Sequence, residues 1–507
     1  MSDNSKLLFW TDSTLLHYCL AFAIQQKTNH EIFGLFDVPN RLKSFFNKQK
    51  FVNYKKHWFF HDNISKLNNP DLNYLKKCEE RYDLNLWKFV INERIFQNYN
   101  PFYKFSRAEI LSILESEFKL FEEILNTINP DFLITRDPGL HHGHLLTQIC
   151  KKKSIPILLL NISKFPNMCY ISQSIHTLDQ EPDPNDDQNF SFIDLQKLLT
   201  NNNLSEKFDD LYSKTRHSKT SRIKAGFNVF SHPNSNINSH YTYYGRTKQK
   251  ILLTELSSSL KTKKRKKFLD ANSTRIIDDK KFIYLPLNQE PERSLLLDAP
   301  FFTNQIETVN HISKSIPIDY VLYVKEHPTQ GAARGWRPIS DYKKILDLPN
   351  TKLIHPDTPS FDLIKKSSLV ITIGGSSSFE AQIFNKPSIM FADLGYYQMG
   401  SIKKIDSLEA LPNTINSLLN SRVNLKKLST YISSLLKQSF NFDFYGFQIR
   451  AGNKFFYNEN LVDTEINNSD MENFLKTERK NLDTLADEHI KKIGFYEKMF
   501  GKKGNVE

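Results

Sequence analysis

The sequence predicts an α/β protein of doubly wound, Rossmann-like domains, and three observations carry that prediction. Between Phe282 and Phe391 five short apolar runs read as strands, with helix-like segments between most of them. Parallel strands need such crossovers. Residues 131–160 read as a strand, a turn, a helix and a second strand, which is half of a doubly wound domain. Finally, Val321–Val324 runs into Lys325-Glu326-His327-Pro328, and Leu369–Ile373 into Gly374-Gly375-Ser376-Ser377-Ser378-Phe379-Glu380-Ala381. Two strands thus deliver reactive and anion-binding residues to their carboxyl ends, the edge at which open α/β sheets bind ligands.

Taken in order, Lys6–Trp10 reads as a strand, Leu15–Gln25 as a helix and Glu31–Phe36 as a strand. Residues 40–100 have weak periodicity and read as helices and loops. Ser106–Thr127 places Ile110, Ile113, Leu114, Phe118 and Phe121 on one helical face, and Pro130 ends that segment. Asp131–Ile134 reads as a strand, His141–Lys152 as a helix and Ser154–Leu160 as a strand. Residues 180–275 are polar and basic, an insertion followed by an interdomain helix. The expected organisation is therefore an N-terminal domain over 1–275 (with the insertion at about 180–275), a C-terminal domain over 276–425, and a helical tail over 426–507 that packs back across the molecule.

With 507 residues, 39% hydrophobic and 13% aromatic, the chain is too apolar for a disordered protein and long enough for two or three cores. Its net charge is +12. That excess fits nucleic acid, an anionic membrane or phosphorylated substrates. No zinc-finger spacing, RNP-like aromatic motif or basic-region heptad accompanies it, so nucleic acid is set aside. Cys19, Cys78, Cys150 and Cys169 form no C-x-x-C pair and read as buried free thiols. The N-terminus lacks a signal-peptide pattern, and no apolar run reaches about eighteen residues. The expectation is a cytoplasmic protein, peripheral at most to the inner face of the membrane. The run Lys261–Lys267 reads first as a solvated helix face and permits contact with an anionic surface.

His327 follows a strand, and Pro328 ends that strand by removing a backbone donor. An imidazole there can hydrogen-bond a phosphate oxygen as a leaving group departs. His355-Pro356 repeats the dipeptide without the neighbouring Lys325, Glu326 and Gly/Arg-rich loop, and reads as an ordinary loop histidine. That loop includes Arg334, which can close over an anion. At Gly374–Ala381 glycines allow close approach, and the N–H groups of Ser376, Ser377 and Ser378 can meet a phosphate. Glu380 can accept from ribose hydroxyls, or cap its helix from the Ser377-x-x-Glu380 spacing. The Pro286–Arg293 loop, with Glu292, faces the same edge. In the first domain Asp12, Asp137, His141 and His142 are candidates for proton acceptance from a sugar hydroxyl. A zinc site of His141, His142 and His144 is disfavoured, because that spacing spreads three ligands around a helix.

These residues resemble the bacterial capsule polysaccharide biosynthesis family, sugar transferases of the GT-B type. The resemblance runs from Phe282 to about Phe391: Tyr284-Leu285-Pro286-Leu287 with Gln289, Pro291 and Glu292, then the KEHP element, then Leu348-Pro349-Asn350, Ile373-Gly374-Gly375-Ser376 and Glu380-Ala381. It agrees more loosely over 131–160. The resemblance implies two Rossmann-like domains facing a central cleft. A CMP- or UDP-linked sugar would be held by the C-terminal domain and a glycan or glycolipid acceptor by the first, with no cofactor and no metal. Phosphate would fall to His327 and the Gly375–Ser378 backbone, and ribose to Glu380; Lys325, Gly374, Glu292 and Arg334 are further candidates for the donor site. The 40–100 and 180–275 regions depart from the family pattern. The competing readings are a teichoic-acid-type glycerophosphotransferase, a nucleotide-sugar 2-epimerase, and a non-catalytic basic protein that binds polysaccharide or nucleic acid.

Overall fold

A computed structural model describes residues 4–64, 69–96, 99–175, 177–183, 190–200, 219–278, 280–331, 335–392, 394–395, 399–405 and 407–500. Its chain forms two compact units. The first comprises Met1–Ile175, Leu204–Ile251 and Gln438–Glu507, and the second His176–Asn203 and Leu252–Lys437. The chain thus crosses into the second unit for 176–203, is back in the first over 204–251, and crosses again at 252. It returns to the first from 438, so most of the predicted tail belongs to that unit.

In the first unit β1 (Lys6–Asp12), β2 (Glu31–Asp37), β3 (Tyr54–Phe59), β4 (Phe132–Arg136), β5 (Ile157–Ile162), β6 (Met168–Ser172) and β13 (Ser439–Asn441) form one sheet. Its order is β13-β6-β5-β4-β1-β2-β3. The five strands β3, β2, β1, β4 and β5 are parallel, and β6 and β13 run antiparallel at one edge. The strand order reverses between β1 and β4, which makes that point the switch crevice of a doubly wound sheet. β3, β6 and β13 were not read from the sequence. β3, Tyr-Lys-Lys-His-Trp-Phe, has an exposed outer stretch and a short apolar end, so it shows neither a buried run nor clean alternation.

Sheet faces are covered by helices whose signals are local. The 22-residue helix Arg107–Ile128 opens with a capping box, Ser106 accepting from the Glu109 N–H and Glu109 returning a bond to Ser106. The tail completes the other face: Leu482, Leu485, Ala486, Ile493 and Tyr496 share one buried cluster with Leu16, Cys19, Leu20 and Ala23. All four cysteines are free and buried, as read. No helix among the described residues is long and apolar enough to cross a membrane.

Two histidines sit in that clustered layer. Burial drives the His17 imidazole down to about 4, with Asp12 pulling the other way. Burial takes His489 down to about 3, against the Leu485 carbonyl that accepts from it. Each is neutral in the fold and charged in the unfolded chain below pH 6.5. Stability from these two is therefore complete above pH 6.5 and is lost as pH falls through 6.5 toward 4, because the unfolded state then binds more protons. Each contributes a loss of roughly 2 kcal/mol by pH 5. Urea titrations at pH 7 and pH 5 should show that drop, and His489→Leu should halve it. An unchanged pH dependence in that variant would remove His489 from the account.

In the second unit β7 (Phe282–Pro286), β8 (Val321–Lys325), β9 (Thr351–Ile354), β10 (Leu369–Thr372), β11 (Ser388–Met390) and β12 (Ile402–Lys404) form a sheet of order β12-β11-β10-β7-β8-β9. Every pair is parallel. Counted from β7, the order is that of a dinucleotide-type doubly wound sheet, with its switch point between β7 and β10. The five strands read from the sequence in this unit are present. β12, with two exposed lysines in three residues, was missed.

Candidate functional sites at two sheet edges

The carboxyl edge of the second sheet gathers three of the predicted elements. β8, β7 and β10 are adjacent and parallel, so KEHP, the Pro286–Arg293 loop and the Gly-Ser turn leave the sheet side by side. KEHP and the turn are two strand spacings apart, about 10 Å. Asn288, in the middle loop, bridges them. Its carbonyl accepts from Arg337 Nη2 at 2.6 Å, and its amide nitrogen lies 4.0 Å from where a Cβ on Gly375 would stand.

The two glycines are dictated by packing at least as much as by any ligand. A Cβ on Gly374 would come 3.1 Å from the Ala392 Cβ and 3.4 Å from the Ser294 carbonyl. One on Gly375 would stand 2.9 Å from Thr372 Oγ1, the atom that accepts from the Gly375 N–H at 3.0 Å. Glu380 does not form the expected capping box. The N-cap is Ser376, without a side-chain cap, and its hydroxyl instead donates to Glu380 Oε1 at 2.7 Å. Ser378 is fully buried and donates back to the Gly375 carbonyl at 3.2 Å, so its hydroxyl is already used. Ser376 and Ser377 are the half-buried members of the turn.

His327 is half-buried. Its Nδ1 accepts from Thr329 Oγ1 at 2.8 Å and from the Thr329 N–H at 3.3 Å, which leaves the proton on Nε2. Burial, then the Lys325 and Arg337 cations, hold the imidazole down at about 4. At neutral pH it is an uncharged N–H donor. Lys325 is only 2% exposed and donates to Ser360 Oγ at 2.8 Å. It acts on this edge through its charge rather than as an accessible phosphate ligand, since the β8 pleat turns it into the core. Glu292 is half-buried in the loop after β7. Arg334 lies outside the described residues.

Sequence reading missed the residue that knits this edge, Arg337. Its Nε donates to Glu326 Oε2 at 2.8 Å, Nη1 pairs with Glu290 and Nη2 reaches Asn288. Glu326 is fully buried and also accepts from Tyr342 Oη at 2.9 Å and from the His327 N–H at 2.8 Å. The acid of KEHP is therefore an anchor that fixes the histidine's backbone. His355 is buried, with Asp270 at 3.0 Å and Arg275 at 2.8 Å, a structural role as read.

The first sheet carries a cavity of about 340 Å³ at its own carboxyl edge. It is lined by residues at the ends of β1, β2 and β4 and just past β3, among them Trp10, Asp12, Asp37, His61, Arg136, Asp137 and His142. Across the switch point Arg136 donates to Asp12 Oδ2, at 2.7 Å from Nη2 and 3.1 Å from Nε. Asp12 Oδ1 meanwhile accepts from the Thr14 N–H and hydroxyl. Burial opposes ionisation of Asp12, but Arg136, Thr14 and His17 outweigh it and hold its carboxyl below the usual range. The N-cap reading of Asp12 survives only as this local turn bond. Asp137 also stands on the cavity wall.

His141 does not line the cavity. It is fully buried between Glu93, 3.2 Å from Nδ1, and Glu117, 3.1 Å from Nε2. Burial lowers its pKa, but the two carboxylates override that and raise it to about 10. Both ring nitrogens face acids in the interior, so it presents no nitrogen to the cavity. The next residue, His142, reaches the wall. Its Nε2 lies 3.1 Å from Asp37 Oδ2, its Nδ1 2.8 Å from Tyr241 Oη, and its ring stacks on Trp10 at 5.4 Å. Asp37 is held on its other oxygen by His61 Nε2 at 3.0 Å. Burial resists its charge, but the two imidazoles prevail and keep the carboxyl far below the ordinary carboxylate range. Glu117, His141 and His142 bring metal-capable atoms within 4.8 Å of one another. The hydrogen bonds to Glu93, Tyr241 and Asp37 already engage those imidazole nitrogens. Asp37 was legible in principle, since it follows the strand predicted to end at Phe36. His61 was hidden in the unpatterned 40–100 region.

Two doubly wound units, each with a polar carboxyl edge at its switch point, define a Rossmann-type α/β protein. Residues 183–417, a stretch that spans KEHP and the Gly-Ser turn, match the family described as "Capsule polysaccharide biosynthesis protein". No curated protein matches it. Among solved structures it is similar to the β-Kdo 2,7 transferase KpsC of Thermosulfurimonas dismutans, at 14% identity and a TM-score of 0.30, covering 71% of this chain and 91% of that one. It is also similar to the UDP-GlcNAc 2-epimerase of Neisseria meningitidis bound to UDP-GlcNAc, at 12% identity and a TM-score of 0.27, covering 86% and 100%. The epimerase of Methanocaldococcus jannaschii gives 13%, 0.23, 86% and 99%. Such values say nothing of activity.

Proposed function

We propose that this protein is a metal-independent glycosyltransferase that moves a sugar from a CMP- or UDP-linked donor onto a capsule or other surface polysaccharide. The observation that carries the reading is the second unit's edge, where the neutral His327, the Asn288 loop and the Ser376–Ser377 turn flank a nucleotide-type switch point inside the family match. His327 Nε2–H donates to a phosphate oxygen of the donor as the sugar–phosphate bond breaks, stabilising the charge that develops on the nucleotide. The N–H groups of Ser376 and Ser377 serve the same phosphate. Glu380, already accepting from Ser376, takes a ribose hydroxyl on its second oxygen.

The first unit's cavity takes the acceptor sugar. Trp10 and Tyr243 offer apolar faces there, and Asp37, ionised between His61 and His142, orients the attacking hydroxyl. Asp137 accepts the hydroxyl proton as the new glycosidic bond forms, and the nucleotide leaves with the bonding pair on its phosphate oxygen. Asp12, committed to Arg136 and Thr14, shapes the pocket.

Incubation with a panel of CMP- and UDP-sugars and CDP-glycerol should show turnover with one sugar nucleotide class, unchanged by EDTA. Turnover of CDP-glycerol alone would move the reading to a glycerophosphotransferase, and free epimerised product to an epimerase. Asp37→Asn and Asp137→Asn should lower transfer to acceptor by about 100-fold or more while slow hydrolysis of the donor persists. Equal loss of hydrolysis and transfer would remove the first unit's acids from an acceptor role.

A further inference from the structure

The 25-residue helix Lys248–Asn272 carries a stripe that nothing among the described residues covers. Leu252, Leu253, Leu256 and Leu260 are 49%, 65%, 57% and 70% exposed. At 100° per residue they fall within one quadrant or so of the helix. Continuing along the same arc come Lys263, Lys264 and Lys267, all exposed. The other cations of the run are partly committed: Arg265 donates to the Trp336 carbonyl, and Lys266 pairs with Asp270 at 3.0 Å. Lys261, Lys263, Lys264 and Lys267 have no partner among the described residues. The helix holds eight basic residues against Glu255 and Asp270. One face is therefore apolar in its first half and cationic in its second, over about 22 Å.

We infer that this stripe is a docking surface for an anionic lipid bilayer, on which the helix lies in the plane of the interface. Soluble proteins seldom leave four neighbouring leucines exposed on one helix face without a partner. Two copies of this chain do not satisfy it: parallel pairing sets lysine on lysine, and antiparallel pairing sets lysine against leucine. The core of a protein interface is also depleted in lysine. An anionic bilayer takes both halves at once, headgroups meeting the ammonium groups and the acyl boundary meeting the leucines. In the first unit the helix Lys219–Ser231 independently exposes Ile223, Phe227 and Phe230, at 71%, 77% and 50%, on one face beside Lys224.

The test is sedimentation of the full chain with vesicles of phosphatidylcholine alone and of phosphatidylcholine with phosphatidylglycerol in equal parts, at low and physiological salt. The expected result is binding to the mixed vesicles only, weakened by salt. Lys263→Gln with Lys267→Gln should lower the partition coefficient roughly 30-fold, and Leu253→Ser with Leu256→Ser should lower it at least as far. All four side chains are exposed, and melting curves of the variants check that they fold. Binding that neither pair of substitutions changes, or no binding to mixed vesicles at low salt, overturns the inference. So does a concentration-dependent dimer that the leucine substitutions abolish. The readout is vesicle binding, so its outcome stands apart from donor turnover.

Discussion

Replacing Arg337 by methionine should cost about 3–5 kcal/mol of stability, the range for breaking a buried ion pair from one side. The guanidinium is 5% exposed and serves Glu326, Glu290 and the Asn288 carbonyl together. Without it, Glu326 keeps only Tyr342 and the His327 N–H as partners, in a site with no water-facing surface. Arg337→Lys should recover only part of the loss, because an ammonium cannot present three donors in that fork. Removing the acid as well, in Glu326→Leu with Arg337→Met, should be milder than Arg337→Met alone, since no orphaned charge remains at Glu326. Chemical denaturation of the three variants measures this. A wild-type midpoint in Arg337→Met would show that the cluster does not hold the edge together.

His327→Ala should leave the melting temperature near that of the wild type and lower donor turnover by about 100- to 1000-fold, as losing one preorganised donor does. His327→Asn, which keeps an N–H in reach, should recover part of the rate. The protonation state adds a sharper test. Because the imidazole is held near 4, it is neutral from pH 5 upward, and kcat/KM should show no break near 6.5 from this residue. A histidine acting as a cation would give that break. Unchanged turnover in His327→Ala would take the residue out of the mechanism.

The residues behind these two effects differ in how they could be found. His327 was readable because its signals are adjacent in the chain: an apolar run, a polar tetrapeptide and a proline that ends the strand. The Gly-Ser turn was readable for the same reason, although its glycines turn out to be needed for packing against Ala392, Ser294 and Thr372. Arg337 lay eleven residues beyond Glu326 in a loop with no periodicity, and nothing local marks it as buried. In the first unit Asp12 and Asp137 were found from their places after strands. The pairing of Asp37 with His142 spans 105 residues and that of His142 with Tyr241 spans 99. His141 and His142 are neighbours with identical side chains, and only the burial of one between Glu93 and Glu117 separates their roles. Glu117 itself sat on the apolar stripe of its helix, three residues past Leu114, a buried acid legible as an exception.

What the chain's own order determined is its alternation of strands and helices and the chemistry at the strand ends, because hydrophobic period, proline and glycine act over a few residues. Tertiary structure decided the strand order that sets KEHP, the Asn288 loop and the serine turn side by side. It also decided which acids face a cavity and which are locked in ion pairs. Those outcomes depend on burial and on charges brought together from distant parts of the chain, and electrostatic energies change most where water is excluded.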